Sequence, residues 1–224
     1  MTETRPTLTL YTGEKNISSW SMRGFLALTH KKVSFQEREI SLPGDPDRKH
    51  RREVSPTGKV PVLHHERPGG RLVIPDSLAI IEYLEETFAP PAHPALWPTD
   101  PARRAHARWI AAAMHSGWPK LRESMSFNLC FLPQPPQATP EALAEAAEVL
   151  DLWEKSLADG GPFLCGDYGA ADIMFAPVVW RLTAFRVPTQ GTPRAKAWMA
   201  AMLEHPDVKR WMDPARALPP RAAY

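Results

Sequence analysis

The chain of 224 residues is poor in cysteine: it holds only Cys130 and Cys165, and no Cys-x-x-Cys. That excludes a disulfide framework and dithiol redox chemistry. It fits a reducing, cytoplasmic setting with both thiols as small buried hydrophobes. No apolar run approaches the ~18 residues of a membrane span, so no membrane partner is expected. Met1 to Pro6 lack the basic-then-apolar pattern of a secretory signal. The net charge of +2 is too small to point to nucleic acid. The one basic run, Arg48-Lys49-His50-Arg51-Arg52, reads as the solvated face of a short helix, or as a source of one cation for a ligand carboxylate. The pair His64-His65 chelates poorly, because neighbours on a strand point to opposite faces, so no metal is expected. The serines around Ser18 lack the G-x-S-x-G of a nucleophile elbow.

What the chain has in quantity is proline, 25 residues, many in clusters that mark joints. Leu8-Thr9-Leu10-Tyr11-Thr12 alternates as a strand does. Gly13 to Asn16 turns. A helix follows from about Trp20 to Lys31, with Ser18 or Ser19 placed to cap it. Val33 to Ile40 is the next strand, so the order is βαβ and the pair is parallel. Pro43 to Val54 reads as a short irregular helix. Val60–His64 and Arg71–Ile74 are two strands joined at Pro68-Gly69-Gly70, which is hairpin chemistry. Asp76-Ser77 opens a helix to Phe88, with Leu78, Ile81 and Leu84 inward and Glu82, Glu85 and Glu86 outward.

Ala89 to Pro98 cannot be helical and reads as a linker. No strand is expected after it. Asp100-Pro101 is an N-cap followed by proline at the first helical position, opening a helix towards Leu121 with a kink at Pro119. Thr139-Pro140 repeats the signal, and Leu143, Ala146, Ala147, Leu150 and Leu157 make a stripe. Asp172 to Phe185 is apolar nearly all round and reads as a buried central helix. Trp198, Met202 and Leu203 mark another, ending near His205-Pro206. The fold class is therefore α/β plus all-α.

Two local features suit a small peptide-like anion. Ser18, Ser19 and Ser21 sit at a helix start, where they either cap the helix or receive a ligand. Val60-Pro61 precedes a strand, and the helix opening at Asp76-Ser77 offers free N–H groups and a dipole to a carboxylate.

In order and spacing, Ser18-Ser19-Trp20-Ser21-Met22-Arg23, Thr57-Gly58-Lys59-Val60-Pro61-Val62-Leu63 and Asp76-Ser77-Leu78-Ala79-Ile80-Ile81-Glu82-Tyr83-Leu84 resemble the cytosolic glutathione S-transferases. The likeness covers essentially the whole chain. It is nearest to serine-type bacterial members and to the zeta and theta-like classes. It implies a thioredoxin-like βαβ-ββα domain over residues 1–88, a linker over 89–100, and an all-helical domain over 101–224 that forms the electrophile pocket. It further implies a homodimer.

The resemblance also implies roles. Pro61 is the cis-proline, and Val60 pairs its backbone with the cysteinyl unit of glutathione. Ser77 and its helix N-terminus take the γ-glutamyl carboxylate, and Asp76 takes the ammonium. Lys49 or His50 meets the glycine carboxylate, and Lys59 lies in the same glutathione-binding segment. Ser18 or Ser19 donates a hydrogen bond to the sulfur and is never the nucleophile. The zeta pattern points to Ser18, the theta and delta patterns to Ser19. Trp20, His115, Trp118 and Arg122 are pocket candidates. The second-domain capping box has Gly169 where the family usually carries Ser or Thr.

The implied activity is glutathione transfer to an electrophilic carbon. Two alternatives stand beside it: a maleylacetoacetate-type isomerase using glutathione as coenzyme, and a non-catalytic glutathione-binding scaffold. Trp20, where the zeta pattern has cysteine, argues against the isomerase.

Overall fold

The computed structural model describes residues 7–42, 46–129, 137–157 and 160–219. Cys130 lies outside them. The N-terminal sheet has the order β2-β1-β3-β4. β1 (Leu8–Thr12) lies inside it, parallel to β2 (Phe35–Glu39) with Leu8 opposite Phe35, and antiparallel to β3 (Val62–Arg67) with Leu10 opposite Leu63. β4 (Gly70–Ile74) closes a hairpin on β3. The parallel pair needs the crossover helix α1 (Ser19–His30), whereas the hairpin needs only a tight turn, in which Gly69 takes φ +98° and Gly70 φ +119°.

Alternation along β1 sends side chains into two cores. Leu8, Leu10 and Leu63 pack with α1 and α3 (Ser77–Thr87). Tyr11 and Val62 pack on the other face with Ile40 and with Val54 at the end of α2 (Pro46–Val54). Gly24 lets α1 lie close to the sheet: a Cβ there would stand 3.3 Å from Pro61 and 3.4 Å from Leu10. Glu85 is not outward as expected. Its carboxylate pairs with the fully buried Lys31 and accepts the Leu96 N–H at 2.9 Å, fastening α3 to α1 and to the following segment.

The rest of the described chain is helical: α4 (Pro101–Ser116), α5 (Pro119–Ser124), α6 (Pro140–Ser156), α7 (Ala170–Ala184), α8 (Pro193–Glu204) and α9 (Pro206–Arg216). No described helix is long and apolar enough to cross a membrane. Asp100 and Thr139 accept from Arg103 N–H and Ala142 N–H, the caps read from sequence. At Pro119 the chain breaks rather than kinks: Trp118 adopts φ 50°, and Pro119 starts α5 at the position where a missing N–H costs nothing. On α6, Leu143 is 40% exposed and Ala147 is exposed, while Ala142, Ala146, Val149 and Trp153 face the core. α9 extends the helical half beyond His205-Pro206, where the expected helices ended.

α7 is buried from Ala170 to Leu182 and packs on α1 and α4. Its N-cap, Gly169, has no side chain to give. The Leu96 carbonyl accepts the Ala170 N–H at 2.8 Å instead. The Asp172 carboxylate accepts from Gly169 N–H, Leu164 N–H and Trp198 Nε1–H, all at 2.8–3.0 Å. Burial pushes Asp172 up to about 6, against the pull of those donors. Burial also lifts the Cys165 thiol to about 12, which makes it inert as a nucleophile.

Candidate functional site

The β1–α1 loop is held from several sides. The buried Glu14 carboxylate accepts from Ser41 Oγ at 3.0 Å and Leu42 N–H at 2.9 Å. A Cβ on Gly13 would stand 2.5 Å from Leu42 Cδ1, so a larger residue there would have to push the Leu42 side chain aside. From the far end of the chain, Trp211 Nε1–H donates to the Lys15 carbonyl and Asn16 Nδ2–H donates to the Pro219 carbonyl, both at 3.1 Å. The start of α1 is thus fixed relative to both halves of the molecule.

Ser18 is the N-cap of α1, yet its hydroxyl makes no capping bond. It donates to Ser21 Oγ at 2.7 Å, and Ser21 Oγ also accepts the Gly13 N–H at 2.9 Å. The capping role that sequence allowed is therefore not taken up. Ser19 begins the helix, buried, and its Oγ accepts from Arg181 Nη2 at 3.4 Å.

Beside this lies the start of α3. Asp76 Oδ1 accepts from Leu78 N–H and Ala79 N–H at 2.9 Å, a side-chain N-cap. Asp76 Oδ2 lies 3.1 Å from His115 Nε2 on α4. Burial alone would raise the Asp76 carboxyl, but the His115 bond and the backbone N–H bonds outweigh it and hold it below its usual range. Ser77 is buried, and its Oγ has no partner among the described residues. The Val60–Pro61 peptide is cis. Val60 lies ahead of Val62, where the pairing of β3 with β1 begins.

Trp20 joins the two halves. Its ring meets His115 edge-on at 5.2 Å, lies 4.2 Å from the Arg23 guanidinium carbon, and lies 5.7 Å from that of Arg122. Arg23 is fully buried. It donates Nε–H to the Met174 carbonyl, and both its terminal nitrogens have no partner among the described residues. Arg181 is buried too. It donates Nε–H to the Met125 carbonyl at 2.7 Å and has one unpartnered terminal nitrogen. Burial pushes Arg23 down to about 9, Arg181 and Arg122 add to that, and Asp76 opposes it. Burial, then Arg122, takes Arg181 to about 9. Two buried guanidinium groups, Arg23 and Arg181, and the half-buried Arg122 thus cluster at the start of α1 beside the Trp20 ring.

Of the residues picked from sequence, the structure links Ser19, Trp20, Asp76, His115 and Arg122 through the contacts above and sets Ser77 next to Asp76. Trp118 faces elsewhere: its ring packs 5.9 Å from Phe175 and its Nε1–H donates to Glu148. Lys49, His50 and Lys59 are exposed, and His50 Nδ1 lies 3.5 Å from Glu53 on its own helix. His64 Nε2 and His65 Nδ1 each have a partner 2.6 Å away, the Val54 carbonyl and the Tyr83 hydroxyl. No three metal-ligating side chains converge among the described residues. Arg23 and Arg181 were not singled out. The signal was present, since Arg181 is a lone cation inside an otherwise apolar helix. A cavity of about 910 Å³ lies at the opposite end of α1, lined by His30, Leu96, Cys165 and Tyr168, and contains none of the selected residues.

Comparison with known proteins identifies the family. Residues 17–87 match "Glutathione S-transferase, N-terminal domain", and residues 136–213 match "Glutathione S-transferase, C-terminal domain". A probable maleylacetoacetate isomerase of Caenorhabditis elegans is 30% identical over 190 residues, 82% of this chain and 83% of that one. Glutathione S-transferase 1 of Dianthus caryophyllus is 30% identical over 204 residues, 88% and 87% of the two chains. The crystal structure of maleylacetoacetate isomerase from Anaeromyxobacter dehalogenans, with bound dicarboxyethyl glutathione and citrate, superposes with a TM-score of 0.68 at 26% identity. It covers 94% of this chain and 92% of that one.

Proposed function

Because this chain belongs to the glutathione S-transferase family, we propose that it is a glutathione-dependent isomerase of a cis-configured, unsaturated keto acid of the maleylacetoacetate type. Residues 1–88 hold glutathione, residues 101–224 supply the second pocket, and residues 89–100 join them. The γ-glutamyl carboxylate docks on Ser77 Oγ and the N-terminus of α3, and the ammonium on Asp76. The Val60 backbone pairs with the cysteinyl unit, leaving the glycine carboxylate to Lys49, His50 or Lys59. The sulfur then lies at the start of α1.

A cysteine-type thiol with a pKa near 8.5 is only a few per cent ionised at pH 7, and lowering it by about two units takes roughly 2.7 kcal/mol. A serine hydroxyl donating to the thiolate contributes about 1.5–3 kcal/mol and the helix dipole about 0.3–1. No general base is required. The thiolate lone pair forms a C–S bond to the cis-alkene carbon, and the π electrons move onto the conjugated carbonyl as an enolate. The former double bond rotates. The enolate electrons then re-form the alkene in the trans arrangement and expel the thiolate, so glutathione is regenerated.

The observation that carries this reading is the cluster of Arg23, Arg122 and Arg181 around Trp20 and Ser19, in which Asp76 is the described carboxylate acting on Arg23. Three cations met by one carboxylate set a positive field at the start of α1, which suits an acidic substrate and its enolate better than a neutral electrophile. The second reading is a transferase, in which the adduct is released. Trp20 at the zeta cysteine position favours it, as does similarity to the Dianthus enzyme. Incubation with maleylacetoacetate and reduced glutathione separates them. The isomerase converts the cis acid while free thiol stays constant. The transferase consumes thiol mole for mole. Conversion that proceeds equally well without glutathione would overturn both.

A further inference from the structure

We propose that Ser19, rather than Ser18, donates to the glutathione sulfur, and that Arg181 selects it. The inference rests on glutathione occupying this site as described above. The Ser18 proton is committed: it goes to Ser21 Oγ, whose oxygen is also fixed by the Gly13 N–H. Turning the Ser18 proton towards a sulfur would require Ser21 to reverse its own hydroxyl and donate to Ser18 Oγ. Ser19 is in the opposite state. Its oxygen receives Arg181 Nη2–H, and no described residue accepts its proton. Arginine has donors only, so a hydroxyl held by it must direct its own proton away from the guanidinium. Accepting from a cation also polarises the O–H and makes it a stronger donor. Ser19 is the first residue of α1, where the helix dipole favours an anion as well.

Arg181 can act this way because α7 carries it across to α1. Its Nε–H is held by the Met125 carbonyl, and the guanidinium lies 5.6 Å from the Phe127 ring centre. It acts through Ser19 and is a positioning residue. The spacing that makes Ser18 the zeta-type donor does not contain this information, because Arg181 lies 162 positions away in sequence.

The test is a pH titration of thiolate absorbance for bound glutathione, with affinity measured by calorimetry on the same samples. Ser19→Ala should raise the thiol pKa by about one unit, which cuts the thiolate fraction at pH 7 about threefold. Ser18→Ala should cost clearly less. Arg181→Met should lower the fraction in the Ser19 background and have little further effect combined with Ser19→Ala, and Arg181→Lys should recover part of it. Should Arg181→Met fail to fold, the two serine variants and Arg181→Lys still decide the assignment. A larger loss from Ser18→Ala than from Ser19→Ala overturns the proposal, as does an additive loss in the Ser19→Ala/Arg181→Met double variant. If the native protein itself takes up no glutathione, it is the functional reading that fails, a result distinct from either.

Discussion

His115 Nε2 lies 3.1 Å from Asp76 Oδ2, so a side chain of the helical half holds the outer oxygen of the carboxylate that caps α3. The inner oxygen keeps the cap through Leu78 and Ala79. The two oxygens therefore have separable duties. Asp76→Asn retains an acceptor for the cap and removes the charge offered to an ammonium. Its melting temperature should fall modestly, because the charged carboxylate and its His115 contact stabilise the fold while the cap is kept. Glutathione affinity should fall about tenfold or more, the cost of a charge-assisted bond of roughly 1.5–3 kcal/mol. Calorimetry alongside a thermal melt checks both, and unchanged affinity would place the ammonium elsewhere.

Ser77 makes the complementary prediction. A buried hydroxyl without a partner costs about 1–3 kcal/mol, so the unliganded fold carries it at a loss. Ser77→Ala should leave unliganded stability equal or higher and should raise the glutathione Michaelis constant with little change in turnover. Denaturant unfolding with and without glutathione gives the contrast. If the variant is weaker without ligand, the hydroxyl serves the fold.

Much of this was legible because local chemistry and tertiary packing agreed. β1 sends Leu8 and Leu10 to one core and Tyr11 to the other, and its bounds coincide with the expected ones. The caps at Asp76, Asp100 and Thr139 act through oxygens their own sequence supplies. The errors fall where a distant partner decides. α6 has two overlapping apolar stripes, and the contacts with α5 and α8 choose the one through Ala142, Ala146 and Trp153, leaving Leu143 outside. Glu85 looked solvent-facing until Lys31 and Leu96 met it. The serine motif could be read as a pattern, but the environment that distinguishes Ser18 from Ser19 is brought by α7 from the other half of the chain.

Gly169 carries a prediction against the usual rule. Installing serine at an N-cap normally gains about 1 kcal/mol. Here an added Cβ would stand 2.6 Å from the Leu96 carbonyl oxygen, a backbone atom already bonded to Ala170 N–H. Relief requires moving the Leu96 segment, whose own N–H is tied to Glu85. Overpacking of this kind costs about 1–3 kcal/mol, so Gly169→Ser should be net destabilising by about 1–2 kcal/mol. Chemical denaturation of the variant checks the sign, and a stabilised protein would mean that Leu96 gives way easily.

Asp172 sets a pH dependence whose direction is opposite to that of an ordinary paired carboxylate. Burial raises it to about 6 in the fold, against 3.8 as its reference value. Between those pH values the folded protein holds a proton that the unfolded chain has lost, so this group's contribution falls as pH rises from about 4 to about 6 and is level above that. The drop amounts to roughly 3 kcal/mol at about 1.4 kcal/mol per unit. Asp172→Asn removes the titration. It also sets an amide nitrogen among three donors, from Leu164, Gly169 and Trp198, so the variant should be less stable throughout. The stability gap between native and variant proteins should therefore be widest near pH 4 and narrow towards pH 7. A gap that widens with pH would mean that the three N–H donors outweigh burial and keep Asp172 ionised through the acid range.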